Sequence, residues 1–325
     1  MKRKITAIFI LLTIVLTGCS LKENAEVKQP TSADISAATQ AEKATSKDVS
    51  FVDALGNNVT VHTADKVIAL SGSFADTWLL AGGSLVGTTT DAFSDGIELD
   101  ENVANVGSLH NLSLEQVIAL EPDFVILSKT IANQITLYEQ LKEAGITAAC
   151  FSVEEFSEYL DMLKICTDIT GRSDLYEKNG TAVKTQIDDV VNKANAIDKH
   201  PTVLFLRASS TEVSARNSGT MAGAMLKDLG CVNIADNDDN LLENLSIEAI
   251  IKDDPDYIFA VTMGGSEEKA LAVLEKTLKS NPAWAGLNAV KDEHYDVLAK
   301  DLFHLKPNNR WGESYETLFK ILYAE

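Results

Sequence analysis

Basic residues are scarce in this sequence. Its 325 residues include 28 Lys and Arg against 48 Asp and Glu, which gives a formal charge of −20 at pH 7. No run of basic residues occurs after the first four positions. Because binding to phosphate depends on clustered Lys and Arg, this charge balance makes nucleic acid and anionic membrane surfaces poor partners.

The sequence also lacks the motifs of common enzymes and metal sites. GxSxG, HExxH, GxxxxGK[ST] and GxGxxG do not occur, and the five His residues show no paired ligand spacing. The cysteines beyond position 19, namely Cys150, Cys166 and Cys231, form no CxxC, so we expect buried free thiols. At 6% aromatic residues, a sugar-binding site is also disfavoured. We therefore expect no enzyme, no resident metal and no cofactor.

The first 48 residues predict export and anchoring. A basic start is followed by an apolar run at 5–16, which is shorter than the roughly 20 residues needed to span a bilayer, so 1–18 is predicted to be a signal peptide. The run ends in Leu-Thr-Gly-Cys, which resembles the bacterial lipobox and implies lipidation at Cys19. That would anchor the protein on the outer face of a Gram-positive-type cell membrane. An ordinary secretory peptide is the alternative. Residues 19–48, poor in apolar side chains, predict a flexible tether.

The remaining sequence predicts an α/β fold, because short apolar runs alternate with helical patterns. An internal repeat relates 112–127 (LSLEQVIALEPDFVIL) to 245–260 (LSIEAIIKDDPDYIFA), which align without gaps. In each copy a Ser is placed to cap a helix, a Glu lies in the first helical turn, and Pro-Asp separates the helix from a strand. The wide spacing of the copies indicates that the repeating unit is a whole lobe.

The predicted organisation is therefore two similar α/β lobes, at 49–172 and 199–325. The intervening residues, 173–198, carry spaced apolar side chains amid charges and predict one long connecting helix. A single helix between two lobes leaves a cleft and limits how far the lobes hinge. We expect the ligand to bind in that cleft.

Five soft motifs in order, spanning residues 51–323, resemble the class III substrate-binding proteins of ABC importers, the family for ferric siderophores, haem and cobalamin. The motifs are VIALSGSFADTWLLAGGSLVG, NVGSLHNLSLEQVIALEPDFVIL, GTMAGAMLKDLGCVNIAD, LSIEAIIKDDPDYIFA and NPAWAGLNAVKDEHYDVL. The resemblance implies a lipid-anchored protein that captures a small iron complex, with a ferric siderophore as the expected ligand. Haem or cobalamin is the alternative.

The resemblance also implies a protein partner, an ABC permease dimer with its ATPase subunits. In that family one glutamate on each lobe docks into arginine pockets of the permease, and the repeated helices place Glu115 and Glu248 at those positions. The alternative is that each Glu only stabilises its helix N-terminus through the dipole.

Ligands of open α/β sheets lie beyond the carboxyl ends of the strands, and this rule selects the candidate binding residues. Five cations fall beside predicted strand ends: Lys129, Arg207, Arg216, Lys306 and Arg310. If they converge, they form a cationic site for an anionic ferric complex. Trp78 and Trp311 are candidates for apolar walls, with core packing as the alternative. His304 lies in the same loop as Lys306, and His110, His304 and Met263 are the candidate axial ligands if the ligand is haem.

Overall fold

The computed structural model describes residues 48–323. The predicted signal peptide, Cys19 and nearly all of the predicted tether lie outside the described residues, so these remain predictions. Among residues 48–323, no helix is long and apolar enough to cross a membrane.

The N-terminal part of the fold begins with an antiparallel hairpin and continues into a parallel sheet. Its strands are β1 (Val49–Val52), β2 (Asn58–Val61), β3 (Val67–Ala69), β4 (Leu85–Thr88), β5 (Ala104–Asn105), β6 (Gly107–Ser108), β7 (Asn111–Leu112), β8 (Phe124–Ser128) and β9 (Ala148–Phe151). Its helices are α1 (Gly72–Leu80), α2 (Thr90–Ser94), α3 (Leu114–Ala119), α4 (Ala132–Glu143) and α5 (Phe156–Thr170). The parallel sheet has the order β5-β4-β3-β8-β9, while β6 and β7 form a separate short hairpin.

The connecting segment is helical from Ser173 to Asn195. It consists of α6 (Ser173–Tyr176), a π-helical turn (Glu177–Thr181) and α7 (Ala182–Asn195). The sequence pattern did not reveal the π turn. Its Gly180 lies close to α5, since a Cβ at this position would be 3.0 Å from the side chain of Leu160. The end of α5 before it is set by Gly171, whose φ of 71° terminates the helix in the left-handed region.

The C-terminal part repeats the architecture around a second sheet. Its strands are β10 (Thr202–Ala208), β11 (Val213–Arg216), β12 (Val232–Asn233), β13 (Tyr257–Thr262) and β14 (Tyr295–Leu298). Its helices are α8 (Met221–Asp228), α9 (Asp239–Asn244), α10 (Ile247–Asp253), α11 (Glu267–Lys279), α12 (Asn288–Lys291), α13 (Lys300–Phe303) and α14 (Trp311–Tyr323). The sheet order is β11-β10-β13-β14, with β12 also pairing β10, and only β11 is antiparallel.

The sequence repeat is a structural repeat. Ser113 Oγ accepts the Gln116 N–H at 3.3 Å at the start of α3, and Ser246 Oγ accepts the Ala249 N–H at 3.3 Å at the start of α10. Both copies also end alike, because the residue before the proline, Glu121 or Asp254, has a φ of 49° or 39°. Each helix then leads into a strand inside its parallel sheet, β8 or β13.

The two faces of the second sheet pack into different cores because side chains alternate along a strand. Phe205 of β10 joins the large core that also contains side chains of α7 and α14. Its neighbours Leu204 and Leu206 face the other core, which contains side chains of α10 and α11. The described cysteines, Cys150, Cys166 and Cys231, are all buried and free.

Candidate functional site

A cavity of about 630 Å³ lies between the first turns of α1 and α2 on one side and the chain after α13 on the other. The N-terminal wall comes from residues that follow strands β3 and β4. The C-terminal wall comes from 301–310, and we call residues 305–310 the crossing loop. The polar side chains lining the cavity are Ser71, Ser73, Asp76, Asp91, Asp95, Glu98, Asp301, His304, Lys306, Asn308, Asn309 and Arg310.

The lining of this cavity is acidic, contrary to the expectation of a cationic site. It carries five carboxylates, and Lys306 and Arg310 are its only Lys or Arg side chains. Both cations are already paired. Lys306 Nζ lies 3.1 Å from Glu154 Oε1. Arg310 donates to Glu313 at 2.7 and 3.0 Å and to Asp301 at 2.6 Å.

Arg207 and Arg216 behave differently from the paired cations. Their Nε atoms are buried without a hydrogen-bond partner, and within residues 48–323 neither side chain forms an ion pair. Strands β10 and β11 pair in antiparallel fashion, with Arg207 opposite Ser214 and Arg216 opposite Phe205. The side chains of Arg207 and Arg216 therefore lie on the same face of the sheet, as diagonal neighbours. Arg216 is the last residue of strand β11. Burial lowers the pKa of Arg216 because it penalises the charged form.

Neither arginine lines the cavity, and the link between Arg216 and the cavity wall is His304. It lines the cavity, and burial, with repulsion from Lys300, Lys306 and Arg216, lowers its pKa to about 4. The imidazole is therefore neutral at pH 7 and has a lone pair available for a metal or a hydrogen-bond donor. The contribution of Arg216 to this shift places its charge within electrostatic reach of the cavity wall.

Several predicted ligand residues lie elsewhere. Trp78 is 1% exposed, donates through Nε1 to the Ser84 carbonyl at 2.8 Å and packs edge-on against Phe124, so it belongs to the core. Trp311 is 2% exposed and packs against Phe156. Both tryptophans thus have the positions expected for core packing, which was the alternative to forming apolar walls of the cleft.

Three further candidates do not line the cavity. Lys129 is exposed after β8, and its backbone N–H donates to the Phe151 carbonyl. His110 is exposed and follows Leu109, which does line the cavity. Met263 is half-buried after β13. Of the three candidate haem ligands, the structure brings only His304 to the cavity.

Sequence reasoning missed the acidic wall. Asp76 lies in α1, three residues after Ser73, and Asp91 lies in α2. Asp91 Oδ2 accepts the Gly72 N–H at 2.6 Å and thereby ties the starts of the two helices together. The strand-end rule could have identified both carboxylates, because each follows a strand of the parallel sheet. We applied the rule to cations and not to acidic residues. Within residues 48–323, no group of three or more His, Cys, Asp or Glu side chains is arranged to hold a metal ion.

Glu115 and Glu248 occupy equivalent positions away from the cavity. Each is exposed in the first turn of its helix, two residues after the capping Ser. Neither carboxylate caps its own helix, since Ser113 and Ser246 do so. The two side chains are thus available on the surface, one in each half of the repeat.

Two α/β lobes joined by a helix around a polar cavity define a two-lobed binding protein. The sequence profile of the periplasmic binding protein family matches residues 67–302, and the chain belongs to that family. Its members are substrate-binding proteins of transporters, which confirms the expectation of a binding protein rather than an enzyme.

Similar proteins come from bacteria. The Fe(3+)-citrate-binding protein YfmC of Bacillus subtilis is 25% identical over 300 residues, which cover 90% of this chain and 88% of that protein. YhfQ of B. subtilis, assigned by name as an ABC transporter substrate-binding lipoprotein, is 24% identical over 253 residues, 73% of this chain and 76% of that protein. The crystal structure of Staphylococcus aureus IsdE with haem has a TM-score of 0.67 at 20% identity and covers 79% of this chain and 98% of that one.

Proposed function

We propose that this protein is the extracellular solute-binding component of an ABC importer, which captures a ferric siderophore and delivers it to the membrane permease. The family supports the transport role, and the Fe(3+)-citrate-binding relative supports an iron chelate as cargo. A cavity of about 630 Å³ is in the range of small-molecule sites.

The observation that carries the ligand assignment is the unpaired arginine pair. Within residues 48–323, the two half-buried guanidiniums of Arg207 and Arg216 have no carboxylate partner, although the chain has a formal charge of −20. A buried hydrogen-bond donor without an acceptor costs free energy. A ligand that supplies the missing acceptors therefore forms charge-assisted hydrogen bonds with these guanidiniums. Anionic oxygens of a ferric chelate are suitable acceptors.

The acidic wall gives this ligand an orientation. Carboxylates of α1 and α2 face the cavity from the N-terminal side, and like charges repel at short range. We infer that the anionic part of the chelate faces Arg207 and Arg216, while neutral or hydrogen-bond-donating groups face Asp76 and its neighbours.

The test is a titration with a ferric tricatecholate, followed by tryptophan quenching, in wild-type protein, Arg207→Ala and Arg216→Ala. Each variant is expected to weaken binding about 5- to 150-fold, as for loss of a charge-assisted hydrogen bond of about 1–3 kcal/mol. Arg172→Ala is the matched control, because Arg172 lies in an exposed pair with Asp174. Unchanged affinity in both cleft variants would contradict the assignment.

Haem is the second candidate, favoured by one observation. His304 is a neutral imidazole in the cavity wall, and the neutral ring is the form that ligates iron. The similar S. aureus protein is a haem uptake protein. A shift of the Soret band on mixing with haemin, abolished by His304→Ala, would support haem. Cobalamin, which is largely uncharged, leaves the arginine pair without a counter-charge.

The delivery and anchoring steps rest on residues outside the cavity. We propose that Glu115 and Glu248 dock into the permease dimer, which their equivalent exposed positions support. We also propose that Cys19 carries the lipid that holds the protein on the outer membrane face, which the lipoprotein name of YhfQ supports. Cys19→Ser is expected to release the protein into the medium, and retention in the membrane fraction would contradict lipidation.

A further inference from the structure

The crossing loop joins the two walls of the cavity through its side chains. Lys306 pairs with Glu154 after β9, and Asn309 Nδ2 donates to Asn179 Oδ1 in the π turn at 3.4 Å. Both contacts are peripheral: the Glu154 side chain is 54% exposed, and the contact to Asn179 is long. Neither contact is suited to hold the loop by itself.

Asn308 makes the central contact. It is 2% exposed, and its Nδ2 donates to the Ser73 carbonyl at 2.8 Å and to Asp76 Oδ2 at 2.7 Å. One buried carboxamide thus holds both the backbone and a side chain of α1 from the opposite wall. Its φ of 50° lies in the left-handed region, which Asn tolerates better than most residues.

Asp76, the acceptor, lies among groups of differing charge. Asn308 donates to it, Arg310 attracts its negative charge, and Tyr159 is close enough for the carboxylate to raise the pKa of that phenol. Burial raises the pKa of Asp76, while the Asn308 hydrogen bond lowers it. The carboxylate therefore depends on the Asn308 amide for part of its stabilisation.

We propose that Asn308 is the positioning residue of the ligand cleft. Its carboxamide fixes the crossing loop against α1 and orients the Asp76 carboxylate along the cavity wall. Without it, the loop separates from α1 and the cavity loses its defined width. The claim that this cavity is the ligand site rests on the proposed function, but the contact itself is testable without any ligand.

Two variants separate the side chain from the backbone. Asn308→Gly retains the left-handed conformation and removes the carboxamide. Asn308→Asp retains the shape of the side chain and places a second carboxylate next to that of Asp76. Hydrogen exchange of the α1 and crossing-loop amides is measured at pH 7.5 and pH 5 in the full chain purified in detergent, as a ratio to wild type at the same pH. Asn195→Asp, an exposed site at the end of α7, is the control.

At pH 7.5 Asn308→Asp is expected to speed exchange in both segments about tenfold, and Asn308→Gly by less. At pH 5 the aspartate variant should move back towards wild type, because one proton shared between two facing carboxyls restores a hydrogen bond. The glycine variant should show no such pH dependence. Adding Asp76→Asn to Asn308→Asp should restore slow exchange.

Unchanged exchange in Asn308→Asp would overturn the proposal. An equal, pH-independent acceleration throughout the chain in both variants would also overturn it, since that result means general destabilisation. Because no ligand takes part, either result is distinguishable from failure of the protein to bind an iron complex.

Discussion

Lys306 Nζ lies 3.1 Å from Glu154 Oε1, so this cation of the cavity wall is already paired. The Lys306 side chain is 22% exposed and that of Glu154 is 54% exposed. An ion pair this close to solvent contributes little net free energy to stability. Its cation is only partly available to an anionic ligand.

We therefore predict a modest effect of Lys306→Met. The free energy of unfolding should fall by no more than about 1 kcal/mol, as is typical of exposed pairs. A double-mutant cycle with Glu154→Gln, measured by urea unfolding, should give a coupling of similar size. Affinity for a ferric tricatecholate should fall less than in Arg207→Ala. A larger loss of affinity would mean that Lys306 leaves Glu154 to bind the ligand.

Arg207 and Arg216 are predicted to reduce the stability of the unliganded protein. Their buried Nε atoms find no acceptor among the described residues, and two like charges lie on one sheet face. Arg216→Met should therefore raise the melting temperature of the ligand-free protein while weakening ligand binding. Thermal unfolding with and without a ferric tricatecholate measures both effects. A lower melting temperature of the ligand-free variant would indicate that the guanidinium is already satisfied in the native state.

We predict that His304 lowers the free energy of unfolding at acid pH. Its pKa is about 4 in the folded state, against an ordinary value of 6.5, so folding favours the neutral ring. The resulting stabilisation is complete above about pH 6.5 and is lost as the pH falls towards 4. Urea unfolding from pH 7 to pH 4 should show a shallower decline in His304→Gln than in wild type. Parallel curves would mean that His304 titrates normally.

Glu115 and Glu248 are predicted to act in transport and not in binding. Both lie in the first turn of equivalent helices, outside the cavity. The double variant Glu115→Ala with Glu248→Ala should lose iron uptake by cells but keep the ligand affinity of the wild type. The matched control is Glu143→Ala with Glu268→Ala, one exposed glutamate from each half. Normal uptake by the docking variant would contradict the permease contact.

Much of the fold is predictable because its signals are local or repeated. Helices and strands alternate in both lobes, as the sequence pattern predicts. The Ser cap, the early Glu and the Pro-Asp break of each repeat copy specify α3 and α10 with their following strands. The π turn escaped prediction because the apolar spacing of 173–198 fits an ordinary α-helix, and the contact of Gly180 with α5 is a tertiary one.

The site is less predictable because the sequence does not show which of its charges are paired with one another. Of the residues that the strand-end rule selected, His304, Lys306 and Arg310 line the cavity, whereas Arg207 and Arg216 do not. The rule gave no means of seeing that Glu154 neutralises Lys306 or that Asp301 and Glu313 hold Arg310. The i, i+4 spacing of Phe74 and Trp78 fits both a core and a cleft wall, and only the packing shows that it is core.

The most direct test of the account is a titration of the purified protein with a ferric tricatecholate, ferric citrate and haemin in turn, at low and high salt. We predict tight binding of a ferric chelate that weakens with salt and is lost in the Arg207→Ala, Arg216→Ala double variant. Binding of none of the three, or salt-independent binding that the double variant retains, would contradict an anionic iron complex held by the arginine pair.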